Sequence, residues 1–102
     1  MSRIPAPNGI QLPADYRILS PQKRRLVREW YAASQEGNCY YCKAPLIGEP
    51  PASVIQKRVK RHLFPENFFK YPVHLHHSHE SGMTIGAVHC YCNAVMWQYH
   101  GE

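Results

Sequence analysis

A small α+β domain in need of a staple is the architecture this chain implies, and three features carry it. The chain has 102 residues, so one domain is the default and its core is small. The stretch Val73–Asn93, VHLHHSHESGMTIGAVHCYCN, reads as two short strands around a Ser81-Gly82 loop, followed by a helix opening at Asn93. The four cysteines fall into two tight groups, Cys39/Cys42 and Cys90/Cys92, one on each side of that stretch's first strand.

In chain order, residues 1–19 hold Pro5, Pro7 and Pro13 and little periodicity, which predicts a flexible N-terminal arm. Residues 20–102 form the domain. Ser20-Pro21 starts a helix, with Ser as cap and Pro at the first helical position. It runs to about Ser34, with Leu26, Trp30 and Ala33 as its apolar stripe. Gly37-Asn38 ends it. Ser53 is expected to cap a second helix, Val54–His62. Phe64, Phe68, Phe69 and Tyr71 follow, and burial preferences assign them to the core rather than to base stacking. Pro72 precedes the first strand, Val73–His77, where a missing N–H is tolerated. Thr84–Val88 is the second strand and Asn93–Tyr99 the last helix.

The formal net charge is +5, with 12 Lys/Arg against 7 Asp/Glu. Eight of those basic residues lie in two short stretches: Lys23, Arg24, Arg25 and Arg28, then Lys57, Arg58, Lys60 and Arg61. Basic side chains at a helix N-terminus oppose the macrodipole, so helix stability does not explain the first group. A solvated helix face and a phosphate-contacting face are the two readings. No run is apolar enough to cross a membrane, and residues 1–16 lack the apolar core of a signal peptide. A cytoplasmic protein is therefore expected, in which clustered cysteines bind metal or stay free rather than pair.

Cys39-x-x-Cys42 has the spacing of a zinc knuckle. In His89-Cys90-Tyr91-Cys92, His89-x-x-Cys92 has it and Cys90-x-Cys92 does not. The predicted structural zinc site is Cys39, Cys42, His89 and Cys92, with Cys90 as the alternate for His89. Forty-six residues separate Cys42 from His89, so such a site closes a long loop.

Four histidines crowd into six residues: His74, His76, His77 and His79. A lone histidine is usually structural, but four on a strand running into a loop do not make a core. Imidazole suits both proton transfer near pH 7 and metal ligation. On an ideal strand His76 and His77 face opposite sides, so both reach one substrate only if the strand breaks at that pair.

The pattern from His74 to Asn93, His-x-x-His-x-His-x-Ser-Gly, four residues, Ala-Val-His-x-x-Cys-Asn, resembles the HNH (His-Me finger, ββα-metal) endonucleases. The recombination endonuclease VII branch, which also carries an upstream C-x-x-C knuckle, is the most similar. The resemblance covers about residues 39–100. It implies a zinc-stapled ββα-metal core at residues 71–100, with added N-terminal helices. It implies His77 as general base, His76 and Asn93 as ligands of a catalytic divalent ion, and His79 and His74 lining or supporting the site. Hydrolysis of a DNA phosphodiester would leave 5′-phosphate and 3′-hydroxyl ends.

The sequence departs from that branch at three places. His89 replaces a zinc cysteine. His76 replaces an aspartate, which shifts metal preference from Mg²⁺ toward Mn²⁺ or Ni²⁺. Met96 replaces a glutamate, which favours nicking or double-strand cleavage over junction resolution. His100 lies two turns beyond Asn93 on the same side. The resemblance further implies double-stranded DNA as partner and a phage-encoded protein acting in a host cytoplasm; no membrane partner is expected, and the family includes monomers and dimers, of which the monomer is favoured here. The rival readings are a non-catalytic zinc module that binds nucleic acid, and a histidine-rich metal-binding protein.

Overall fold

The computed structural model describes residues 9–101. The elements are α1 (Pro21–Ser34), α2 (Ala52–Ile55), β1 (Val73–His77), β2 (Thr84–His89) and α3 (Cys90–His100). Short 3₁₀ turns lie at Tyr16–Ile18 and Arg61–Leu63. Among the described residues no helix is long and apolar enough to cross a membrane.

Helix α1 begins as its sequence dictates. The Ser20 side chain accepts from the Lys23 amide at 3.2 Å, and Pro21 takes the first helical position. Its inward stripe is rotated by one residue from the expected Leu26/Trp30/Ala33. Val27 is the buried residue and Tyr31 flanks it, while Ala33 is exposed. The helix stops at Gln35, and the chain turns through Glu36 (φ 58°) and Gly37 (φ 77°).

β1 and β2 form an antiparallel pair in the register Val73–His89, His74–Val88, Leu75–Ala87, His76–Gly86 and His77–Thr84. The ladder is irregular between His76 and His77, where β2 carries the extra residue Ile85, and the two rings still part: His77 lines the cleft and His76 does not. β2 has two further partners. Gln35 acts as a short strand edge: its amide donates to the carbonyls of Asn38 (2.7 Å) and Ala87 (2.9 Å) and accepts from the Ala87 amide (2.9 Å). Glycine is required at position 86 for this approach, because a Cβ there would sit 2.8 Å from Gln35 Oε1.

The other partner is the segment read as a flexible arm, and this corrects that expectation for residues 9–19. Asp15 bridges Met83, the Tyr16 amide donates to the Gly82 carbonyl (2.8 Å), and the Thr84 amide donates to the Ala14 carbonyl (2.8 Å). Ala14 and Leu19 bury against Val27 and Leu75. A proline-rich segment shows no periodicity, yet it can still pair by its backbone and insert two side chains. Residues 1–8 of the expected arm lie outside the described residues. Arg17 pairs with Asp15 at 2.9 Å and donates to the Ser81 carbonyl at 3.0 Å, holding the hairpin loop. Gly82, at φ 78°, turns beneath it where a Cβ would collide with the guanidinium.

The expected helix Val54–His62 is only the single turn α2, and Ser53 lies inside it rather than capping it. The side chains of α3 explain the loss. Gln98 and Tyr99 donate to the Arg58 carbonyl at 2.9 and 2.7 Å, and Lys60 donates its amide to Gln98 Oε1 at 2.7 Å. Tyr91 donates to the carbonyls of Ile55 and Lys57. These contacts take backbone groups that a longer helix would use. α3 itself starts at Cys90, three residues before the expected Asn93. It ends at Gly101 in the left-handed conformation.

The main core joins Cys39, Leu46, Val54, Ala87, Val88, Cys92, Val95 and Met96. The aromatics Phe64, Phe68 and Phe69 are not in it, contrary to expectation. They are half-buried and stack against one another and against Trp97, at the edge of α3.

Candidate functional site

Two sites flank the β1–β2 pair, one gathered at His89 and one running along β1 from Val73 to His77. At the His89 end, Cys39, Cys42, His89 and Cys92 bring one ligand atom each within 4.8 Å of one another, a cluster able to hold a metal ion. The backbone builds this cage. The knuckle turns back on itself through Lys43 (φ 67°), with the Cys39 amide on the Ala44 carbonyl and the Lys43 amide on the Cys39 carbonyl. His89 is the last residue of β2 and Cys92 lies in the first turn of α3, so a strand-to-helix corner presents both.

The hydrogen bonds of His89 show which nitrogen faces the cage. Nε2 lies 2.8 Å from the Pro45 carbonyl, which can only accept, so Nε2 carries the proton. Nδ1 is then the bare nitrogen, 3.4 Å from Cys42 Sγ and 3.6 Å from Cys92 Sγ. A ring whose far N–H is fixed by a carbonyl is the usual arrangement of a metal-ligating histidine. The hydrogen bond from the Cys92 thiol lowers the Cys39 thiol to about 4, and the same bond pushes Cys92 upward, with burial adding to it. One thiol thus ionises readily while its neighbour resists, the electrostatics of a cage that a cation would relieve. Cys90 is half-buried and is not among the four clustered residues, whereas His89 is.

Along β1 an open cleft of about 420 Å³ runs between α1 and the segment at residues 65–71. His74, His77, His79 and Asn93 line it, together with Arg24 and Arg28. His77 lies flat on Tyr16, ring centroids 4.0 Å apart and planes within 5°. The Arg24 guanidinium stands 3.9 Å from the Tyr16 ring centroid, and its Nε and one terminal nitrogen donate to the Tyr16 carbonyl at 3.1 and 2.9 Å. The His79 ring centroid is 5.5 Å from that of His77. Burial, with the nearby His79 charge adding to it, holds the His77 imidazole below the usual histidine range.

His74 Nε2 faces the Phe68 carbonyl at 2.8 Å and therefore carries its proton. Burial holds this ring too below the usual range. Its Nδ1 then accepts from Asn93 Nδ2 at 3.1 Å. Both nitrogens of His74 are committed, so it orients Asn93 rather than offering a ligand atom. The Asn93 carbonyl oxygen is turned away from His74.

Some residues expected at the site lie elsewhere. His76 is 2% exposed and no part of the cleft wall, so the pair His76/Asn93 is not presented there as an ion site. Of the eight basic residues, only Arg24 and Arg28 reach the cleft. Arg25 pairs with Glu29 at 3.1 Å, and Lys23 borders a groove beside Met83. Arg61 covers the Phe69 ring at 4.3 Å, and Lys57 stands 5.9 Å from the Tyr99 ring. The carbonyl of Arg58 and the amide of Lys60 are tied to α3. His100 lies against Tyr41 (3.4 Å), not at the cleft. Tyr16 and Pro45 carried no signal in the sequence, because an aromatic in a proline-rich arm and a carbonyl in a loop have no telling spacing.

No protein-family model, curated protein or solved structure matches this chain.

Proposed function

We propose that this chain is a small zinc-stapled endonuclease of the HNH (His-Me finger) type, hydrolysing phosphodiester bonds in DNA. The observation that carries the reading is the gathering of His77, His79 and Asn93 with two arginines in one open cleft, beside a closed Cys₃His cluster. Three thiols and one imidazole around a common centre suit zinc in a structural role, with no open position.

In this reading Arg24 and Arg28 hold the phosphate by charge. His77, neutral and braced by Tyr16, takes a proton from water as its oxygen attacks phosphorus. The P–O3′ bond breaks, and the leaving oxygen takes a proton from solvent. A divalent ion, when bound, would offset charge on the scissile phosphate. Asn93 would offer it an oxygen, but His76 as placed does not join it.

A specific observation favours the second reading, a non-catalytic zinc module that binds nucleic acid: the cleft wall contains no carboxylate. A plasmid-nicking assay separates the two, run with Mg²⁺, Mn²⁺, Ni²⁺ or EDTA on wild type and His77→Ala. The nuclease reading expects cleavage to depend on added ion and to fall about 100-fold or more in the variant. Undiminished cleavage by His77→Ala would remove His77 from the chemistry. DNA binding without cleavage in any ion would establish the module.

A further inference from the structure

Beside the cleft lies a recess of about 240 Å³ that no step above uses. Its walls are Leu63, Phe64, Pro65, Phe68 and Trp97, and it shares His79 and Asn93 with the cleft. No charged side chain of Lys, Arg, Asp or Glu lines it. Trp97 is 40% exposed and Leu63 49% exposed, large apolar groups left in water on one patch. The Trp97 ring meets the Phe64 ring edge-on, centroids 5.3 Å apart at 70°. Trp97 also follows Asn93 by four residues on α3, so both side chains leave the same helix face.

We propose that this recess takes one unpaired nucleobase of the DNA strand whose phosphate rests on Arg24 and Arg28. The proposal builds on the nuclease reading and names its substrate class. The two cavities share Pro65, Phe68, His79 and Asn93 in their walls, and their chemistry follows the order of a nucleotide: cations and imidazoles on one side, aromatic rings on the other. In a duplex, a phosphate held by a protein directs its own base away, into the helical stack. A base can enter a recess on the protein side of its phosphate only by leaving that stack. Duplex DNA is thus the poorer substrate, and a strand with a gap, flap or mismatch the better one. Base-on-aromatic contact is tolerant of sequence, so no base preference is required.

The test uses zinc-loaded protein carrying His77→Ala, to prevent cutting, and Trp30→Phe, to leave Trp97 as the sole tryptophan. The probes are a short oligothymidylate, the same strand with abasic positions, and a matched duplex. The proposal expects Trp97 emission to be quenched by the intact strand and little changed by the duplex. Affinity should fall about tenfold or more on the abasic strand. Trp97→Ala should bind intact and abasic strands alike, while Trp97→Phe should regain the difference.

Equal affinity of the parent protein for intact and abasic strands would overturn the proposal, as would binding without quenching. Wild-type cleavage assayed in parallel separates the two claims. Base-dependent binding with no cleavage in any ion overturns the nuclease alone. Cleavage of duplex and gapped DNA at equal rates, with no base dependence in binding, overturns the recess alone.

Discussion

His89 and His77 are the same side chain at opposite ends of one two-stranded sheet. His89 is buried, with Nε2 spent on the Pro45 carbonyl and Nδ1 turned to three sulfurs. His77 is half-buried, with one face on Tyr16 and its edge toward an open cleft. Residue type alone therefore assigns no role. The first ring has no capacity left for a substrate, and the second has one face fixed on Tyr16 while the ring lines an open cleft. A closed set of partners makes a fastener, and an open set makes a reagent.

The contrast can be broken most forcefully at the cage. Cys39→Ser, or removal of metal by a chelator, should abolish cooperative melting, because metal binding and folding are one equilibrium in domains of this size. Full metal content and an unchanged melting temperature in Cys39→Ser would end the claim that the cage is a fastener. Between the two ends, Gly86→Ala would push a methyl group into Gln35 Oε1 and should cost about 1–3 kcal/mol in denaturant unfolding. A neutral result would mean that the Gln35 clip relaxes freely.

At the cleft, Tyr16→Ala should cost only about 1 kcal/mol of stability, the scale of one aromatic contact. It should lower cleavage several-fold, and Tyr16→Phe, which keeps the ring, should restore it. Equal cleavage by all three would show that His77 needs no brace. The smallest effect is expected at Cys90→Ser. Metal stoichiometry should be unchanged and stability altered by about 1 kcal/mol or less. Lost metal in that variant, with His89→Ala silent, would reverse the ligand assignment.

The parts visible in the sequence are those whose information is local. Cys39-x-x-Cys42 and His89-x-x-Cys92 each encode one tight turn, so all four cage residues could be named. Ser20-Pro21 marks the start of α1, Pro72 the start of β1, and branched residues mark β2, because capping and β-preference act within a few residues. The hidden parts were decided by distant partners. The helix expected at Val54–His62 was cut short by Gln98 and Tyr99, some forty residues on. Residues 14–16 pair with the hairpin through backbone groups that every sequence carries. His74, one of four similar histidines, was singled out as the partner of Asn93 only by the Phe68 carbonyl on its far side. His76 kept its predicted strand but is buried and off the cleft wall where an ion ligand was expected, because strand propensity does not fix which face of the sheet is covered.

The early start of α3 has a mechanical meaning. Cys92 and Asn93 are consecutive on the same helical turn, so their side chains leave the axis about 100° apart. One points into the cage and the other into the cleft. The helix therefore works as a spindle, and whatever grips it at Cys92 sets the bearing of Asn93. Val95 and Met96 of the same helix are seated in the core, so one short helix joins the cage, the cleft wall and the core, and none of the three can shift without the others.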